Sequence, residues 1–356
     1  MSDLNLAKER ASYLRLPEDL STETMPMEMF SGRGQHRDQM LRQGILISES
    51  VTPKLEEEIL SVCQALAMPR QSVSAFVYSN PEIQADCLAD TPDTCVLRFT
   101  SGLVSLLSSE EFRFVVGHEL GHFLLGHGAH SLFLPDDTPE TYMVMRSREL
   151  SCDRLGYVAA GGSDIALRAI LKTMSGLGED FIRFDVSSVI SQKDLLSDPS
   201  FGESANSTHP SMMIRCRALL WLALAMNNTS QPEQLTKTEL EKLNTRVVDD
   251  LRKFVDGHTR QRQADLTKDI ALWKAAAFIV QSGSFSNNHQ TKMADVFGDE
   301  TTQKLKAFFG LYSNSELRNE INNRLEMAAR SALDEFPSSA EAIATSASDM
   351  ASSILD

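Results

Sequence analysis

One stretch constrains this chain more than any other: residues 115–130, VVGHELGHFLLGHGAH. His118 and His122 stand four residues apart with Glu119 between them, an H-E-x-x-H pattern preceded by apolar Phe112, Phe114, Val115 and Val116. Residues four apart on an α-helix lie one above the other on a single face. The pattern therefore calls for a helix whose two imidazoles can share one metal ion. Glu119 is rotated by about 100° from His118, close enough to reach a water on that metal without ligating it. Two nitrogen ligands, a base beside them and an open coordination position suit a zinc-activated hydrolysis. An amphipathic core helix with histidines near its exposed edge gives the same letters, so a third ligand has to decide.

The extended pattern H-E-x-x-H-x-x-G-x-x-H requires glycine at 125 and histidine at 128, where the chain has Leu125 and Gly128. It is rejected. The segment SRELSCD, residues 147–153, instead offers E-x-x-x-D, placing Glu149 and Asp153 on one face of a second helix. Glu149 completes a His-His-Glu site, and Asp153 can accept a hydrogen bond from the far nitrogen of a ligating histidine, fixing its tautomer. A solvated acidic edge is the plain alternative for this pair. His127 and His130 are read as loop or helix-end residues, because the ligand set is already complete without them.

In order along the chain come Thr100-Ser101-Gly102-Leu103, Leu106 to Glu110, the His118–His122 motif, Glu149-Leu150-x-x-Asp153, and Thr208-His209-Pro210-Ser211 with Arg215. This succession resembles the HtpX-like and CAAX-prenyl-protease-like zinc metallopeptidases, the family-48 gluzincins, over roughly residues 50–225. The resemblance implies a mostly helical α+β fold, a zincin-like catalytic domain with a small antiparallel sheet and an H-E-x-x-H helix; beyond about residue 232 the sequence itself reads as an all-α C-terminal domain. It implies one Zn2+ per chain and a peptide or protein substrate. In gluzincins an exposed edge strand before the active-site helix pairs with the substrate backbone. By position the matching stretch is Ile83, Gln84, Ala85, Asp86 and Cys87, although a plain core hairpin would look the same. The resemblance also sets His209 near the cleft, where a positioned histidine can stabilise an oxyanion; packing beside Pro210 is the other reading. Arg215 either assists there or pairs with a ligating or neighbouring carboxylate. Many relatives of this kind carry transmembrane helices around the catalytic unit, a point of departure.

A chain of 356 residues usually forms two domains, or one with an appendage. The formal charge of −15 argues against nucleic acid or an anionic membrane surface as a partner. No apolar run approaches the ~20 residues needed to span a bilayer, and the first twenty residues lack the apolar core of a secretory signal. Five cysteines, odd in number and without C-x-x-C spacing, favour a reducing cytoplasm; a Cys87–Cys95 bridge is the exception to keep open.

The expected organisation is an N-terminal arm over 1–48, packed on the catalytic domain or covering its cleft, and a zinc metallopeptidase domain over 49–230. A helical accessory domain follows over 231–337, then a Ser/Ala-rich, loosely held tail over 338–356. Strands are expected at 72–78, 83–89 and 94–100. Helices are expected at 53–66, 109–126, 146–160 and 164–177, with a loop over 127–145. The function implied is a soluble cytoplasmic zinc endopeptidase, latent or regulated, with a regulatory protein docking on the C-terminal helices. The alternative is a non-catalytic zinc-containing scaffold whose C-terminal domain binds a partner. A closed structural zinc site would have no use for Glu119.

Overall fold

The computed structural model describes residues 3–19, 35–127, 138–192, 207–226, 235–283 and 285–355. The elements in order are α1 (Asp3–Tyr13), α2 (Gln35–Gln43), β1 (Ile45–Leu46), α3 (Pro53–Ala65), β2 (Val73–Tyr78), β3 (Ala85–Thr91), β4 (Thr94–Thr100), α4 (Ser101–Leu106) and α5 (Ser109–Leu124). They continue with α6 (Pro139–Ala160), α7 (Ser163–Ser175), α8 (Val186–Ser191), α9 (Met212–Ala225) and α10 (Lys237–Phe254). Last come α11 (Gly257–Ser282), α12 (Asn287–Phe297), α13 (Asp299–Phe309), α14 (Asn314–Glu335) and α15 (Ala340–Leu355). The chain divides into two compact units, one of Met1–Leu134 with Tyr142–Val255, the other of Pro135–Thr141 with Asp256–Asp356.

The first unit holds a four-stranded sheet in the order β1-β2-β4-β3. It is mixed, where an antiparallel sheet was expected: β2 runs parallel to β4, while β3 pairs antiparallel with β4. The connection after Tyr78 explains this. It carries the chain past the slot beside β2 before β3 begins, and Thr100 Oγ1 donates to Glu82 O (2.6 Å) to hold it there. The β3–β4 hairpin then turns back into that slot, so β4 becomes the buried central strand and β3 an edge.

α5 begins with Ser108 and Glu111 in a reciprocal capping box, satisfying two of the helix's free N–H donors. Lys172 from α7 donates to the same Glu111 carboxylate at 2.8 Å, burying a charge pair under the helix start. α6 starts at Pro139, not near 146. Proline suits the first helical turn, and Thr138 Oγ1 accepts from Thr141 N (3.3 Å) just before it. The Asp- and Pro-rich letters that suggested a long loop belong mainly to 128–137, which lies outside the described residues.

The N-terminal residues are part of the core. Leu4, Ala7, Ala11, Leu14 and Leu16 are buried in the same cluster as Val116, Leu120 and Leu155. Leu243, Val247 and Leu251 of α10 belong to that cluster too. The division between units therefore falls after Val255, later than the expected boundary at 230/231.

The second unit is all helical, with cores formed by Ala275, Ile279, Met293, Leu305 and Ile321 and by Leu266, Ile270, Ala332 and Phe336. Its last helix is α15. The segment expected to be a loose tail buries Ile343, Ala347, Ala351 and Ile354. Four apolar residues at helical spacing outweigh the Ser/Ala-rich composition around them. No helix among the described residues is long and apolar enough to cross a membrane.

Candidate metal centre

The site exists because two helix backbones approach closely at glycines. A Cβ on Gly117 would lie 2.4 Å from Ala159 Cβ, and one on Gly121 would lie 3.2 Å from Cys152 Cα. From the other side, a Cβ on Gly156 would sit 2.8 Å from the Phe114 carbonyl oxygen. At that separation α5 and α6 bring His118, His122 and Glu149 together, each offering a ligand atom within 4.8 Å of the others. His118 Nε2 lies 3.3 Å from His122 Nε2 and 3.3 Å from Glu149 Oε2, and His122 Nε2 lies 3.4 Å from Glu149 Oε1.

Behind His118, Asp153 Oδ1 is 2.9 Å from Nδ1, the placement the E-x-x-x-D spacing called for. Asp153 is itself clamped by Arg215, whose Nε donates to Oδ2 at 2.8 Å and whose terminal nitrogen donates to Oδ1. Arg215 thus pairs with the carboxylate behind the ligand, the second of its two expected placements. His209 is 60% exposed in its side chain, yet its Nε2 reaches to 3.5 Å from Glu149 Oε2; Thr208 Oγ1 lies 2.8 Å from its Nδ1.

The charges describe a cation site. Burial works against a charged His118, but its hydrogen bonds to Asp153 and Glu149 and their negative charge prevail, pushing it up to about 10. A proton there is the small cation that makes the cluster tolerable, and a metal ion would take its place. Burial drives His122 down to about 3, leaving its ring neutral with a lone pair to give. Burial would raise Glu149, but His118 and His122 hold it well below the usual carboxylate range. Its buried Oε2 faces His118 Nε2 at 3.3 Å and His209 Nε2 at 3.5 Å, without a well-aligned hydrogen bond to either. Two imidazole nitrogens and a carboxylate, converging in a buried pocket, fit a zinc ion. Beside them, burial pushes Glu119 up to about 7; His118 opposes this, and the carboxylates of Glu149 and Asp86 add to it.

Of the candidate substrate contacts, Ala85, Asp86 and Cys87 lie on edge strand β3, while Ile83 and Gln84 precede it. Asp86 is tied to Arg98 by two bonds of 2.6 and 2.8 Å. Cys87 and Cys95 are free thiols. Two residues escaped the sequence reading. His127 Nδ1 stands 3.0 Å from His122 Nδ1, and His127 Nε2 stands 3.1 Å from both oxygens of Asp19. His127 follows Gly126, whose φ of +75° ends the helix, so helical spacing could not place it. Asp19 lies 108 residues away from His127 in sequence, with no motif to mark it. His130 lies outside the described residues.

Helices carrying H-E-x-x-H and E-x-x-x-D around one cation-sized gap form a candidate metal site. Residues 49–137 match the model of Peptidase family M48. Glu149 and Asp153 fall beyond the matched segment, so their part in the site rests on the geometry above. A curated relative, the plastoglobule-localized metallopeptidase 48, chloroplastic, of Arabidopsis thaliana, is 22% identical over 202 residues. That match covers 49% of this chain and 58% of the relative's length. No solved structure matches.

Proposed function

We propose that this chain is a zinc-dependent endopeptidase holding one zinc ion on His118, His122 and Glu149. The observation that carries the proposal is the convergence of two Nε2 atoms and the buried Glu149 carboxylate, with Asp153 holding the proton on the far side of His118. When bound, zinc supplies a Lewis acid that polarises the scissile carbonyl and acidifies a water. Glu119 accepts a proton from the attacking water and returns it to the leaving amine. His209, exposed but within reach of the ligand cluster, donates a hydrogen bond to the oxyanion. Arg215 keeps Asp153 in place and so keeps His118 oriented. The substrate backbone lies along residues 83–87, leading into β3, supported by the place of β3 at an edge of the sheet among the described residues and by the electrostatic influence of Asp86 on Glu119. Three protein ligands with a base beside them fit catalysis better than a closed structural site. Restraint by a partner or covering segment, with a regulatory protein on the C-terminal helices, is the form of control we propose.

Metal content and casein cleavage, measured together on wild type, Glu149→Ala and Glu119→Gln, test the function. We expect about one zinc per wild-type chain and chelator-sensitive cleavage. Glu149→Ala should lose both, whereas Glu119→Gln should keep the zinc and lose turnover by about 10²–10⁴-fold. Near-normal turnover in Glu119→Gln would sink the mechanism. Absence of zinc in wild type would sink the site.

A further inference from the structure

The mechanism above leaves a buried row of groups unused behind the second ligand: His127, Asp19 and the N-terminal segment that carries Asp19. We propose that Asp19 and His127 form a positioning relay that fixes the tautomer and ring orientation of His122; the proposal rests on the zinc-site reading above.

For Nε2 of a neutral His122 to face the ligand cluster with a lone pair, its single ring proton must sit on Nδ1 and find an acceptor there. The group at that position is His127 Nδ1, 3.0 Å away. His127 can accept through Nδ1 only if its own proton is on Nε2, where the two Asp19 oxygens wait at 3.1 Å. The Cys152 thiol, with Sγ 3.5 Å from the same His127 Nδ1, is a second group placed to donate to it. A donor at one end and a carboxylate at the other thus set every proton in the row. The result mirrors the Asp153–His118 pair, so each histidine ligand has a carboxylate behind it, one direct and one through a second imidazole.

Asp19 is held firmly enough to do this. It is 2% exposed and has Arg148 Nε 3.9 Å away. The backbone leading to it is stapled to the ligand helices: Leu14 O accepts from Arg154 at 3.0 Å, and Leu16 N donates to Ser151 Oγ at 3.1 Å. Arg15 donates to Leu125 O at 2.8 Å, at the end of α5. Residues 14–19 are therefore a wall of the metal centre. A second cation on His122, His127 and Cys152 is the competing use of the same atoms. It would displace hydrogen bonds that already satisfy these ring nitrogens, so the relay is the better account.

The test uses the full chain carrying Glu119→Gln, which prevents self-cleavage. Zinc affinity is measured by chelator competition, and ligand geometry by the visible absorption of the cobalt-substituted protein. His127→Ala should weaken zinc by about 10–100-fold and shift the cobalt bands. His127→Gln, whose amide can accept from His122 and donate to Asp19, should recover most of the affinity. Asp19→Ala should resemble His127→Ala, and the double variant should lose no more than the worse single one, because the two act in series. If His127→Ala does not fold, Asp19→Asn reads the same row and should weaken zinc by a smaller factor. Zinc affinity within about two-fold of the parent together with unchanged cobalt bands, or additive losses, would overturn the relay alone. Two zinc ions per parent chain, falling to one in Cys152→Ala, would overturn it in favour of a second cation. A parent that binds no zinc would overturn the peptidase reading, and the relay with it.

Discussion

Asp153 and Glu149 sit four residues apart on one helix and face the two nitrogens of the same ring. Glu149 faces His118 Nε2 and Asp153 faces Nδ1, so without a metal the imidazole is held as a cation between two carboxylates. The sign of the pH effect follows. A histidine whose folded value is raised to about 10 stabilises the fold fully below its ordinary 6.5, and that contribution is lost as pH rises through 10. Glu119, raised from 4.5 to about 7, adds a loss in the same direction as pH rises through 7. The chelator-treated protein should therefore melt several degrees lower at pH 10 than at pH 7. The zinc-loaded protein should show a flatter profile, because the metal replaces the proton on His118. A scanning melt at both pH values checks this, and equal slopes with and without zinc would refute it. These residues were legible because each pair is spaced four apart on one helix, where sequence distance translates into direction. His127 and Asp19 were not: the first lies past a left-handed Gly126, and the second arrives from a segment joined to the site only in three dimensions.

At the scale of elements, the site depends on how closely α5 and α6 approach. The H-E-x-x-H letters announce a helix, but not that the residues before both histidines are glycines pressed against the next helix. Gly117 touches Ala159 and the Gly156 backbone, so a methyl group has nowhere to go. Gly117→Ala should destabilise the protein by about 1–3 kcal/mol through overpacking. It should also weaken zinc binding, since spreading the helices moves Glu149 away from both histidines. Urea unfolding and chelator competition measure the two effects. Gly126→Ala offers a contrast, because nothing lies within 4 Å of its Cβ position and its cost would come from the φ of +75° instead. The sheet shows the limit of local reading. The sequence pattern placed β2, β3 and β4 to within two residues, yet whether β3 or β4 lies beside β2 depends on the connection held by Thr100 and Glu82. The amphipathic stripe Ile343, Ala347, Ala351 and Ile354 was present in the letters of α15 but diluted by serine and alanine.

Over the whole molecule, apolar residues collect into separate cores. Val116, Leu120 and Leu251 belong to the first unit's cluster; Ile279, Ile321, Ile270 and Phe336 belong to clusters built wholly from the second unit. The metal ligands all belong to the first unit. Cooperativity follows shared burial, so two sets of cores imply two unfolding events. A ligand stabilises the unit that binds it, by RT ln(1 + [L]/Kd). Differential scanning calorimetry of the zinc-loaded chain should therefore resolve two transitions. Chelation should lower one of them by several degrees and leave the other within about one degree. The zinc-sensitive transition should respond to Glu149→Ala, whereas the other should respond to Ile321→Ala in the second unit, where removing a buried isoleucine costs about 2–5 kcal/mol. A single transition that moves with both variants would mean that the two units melt as one, and that the ligand cluster and the C-terminal helices are energetically coupled.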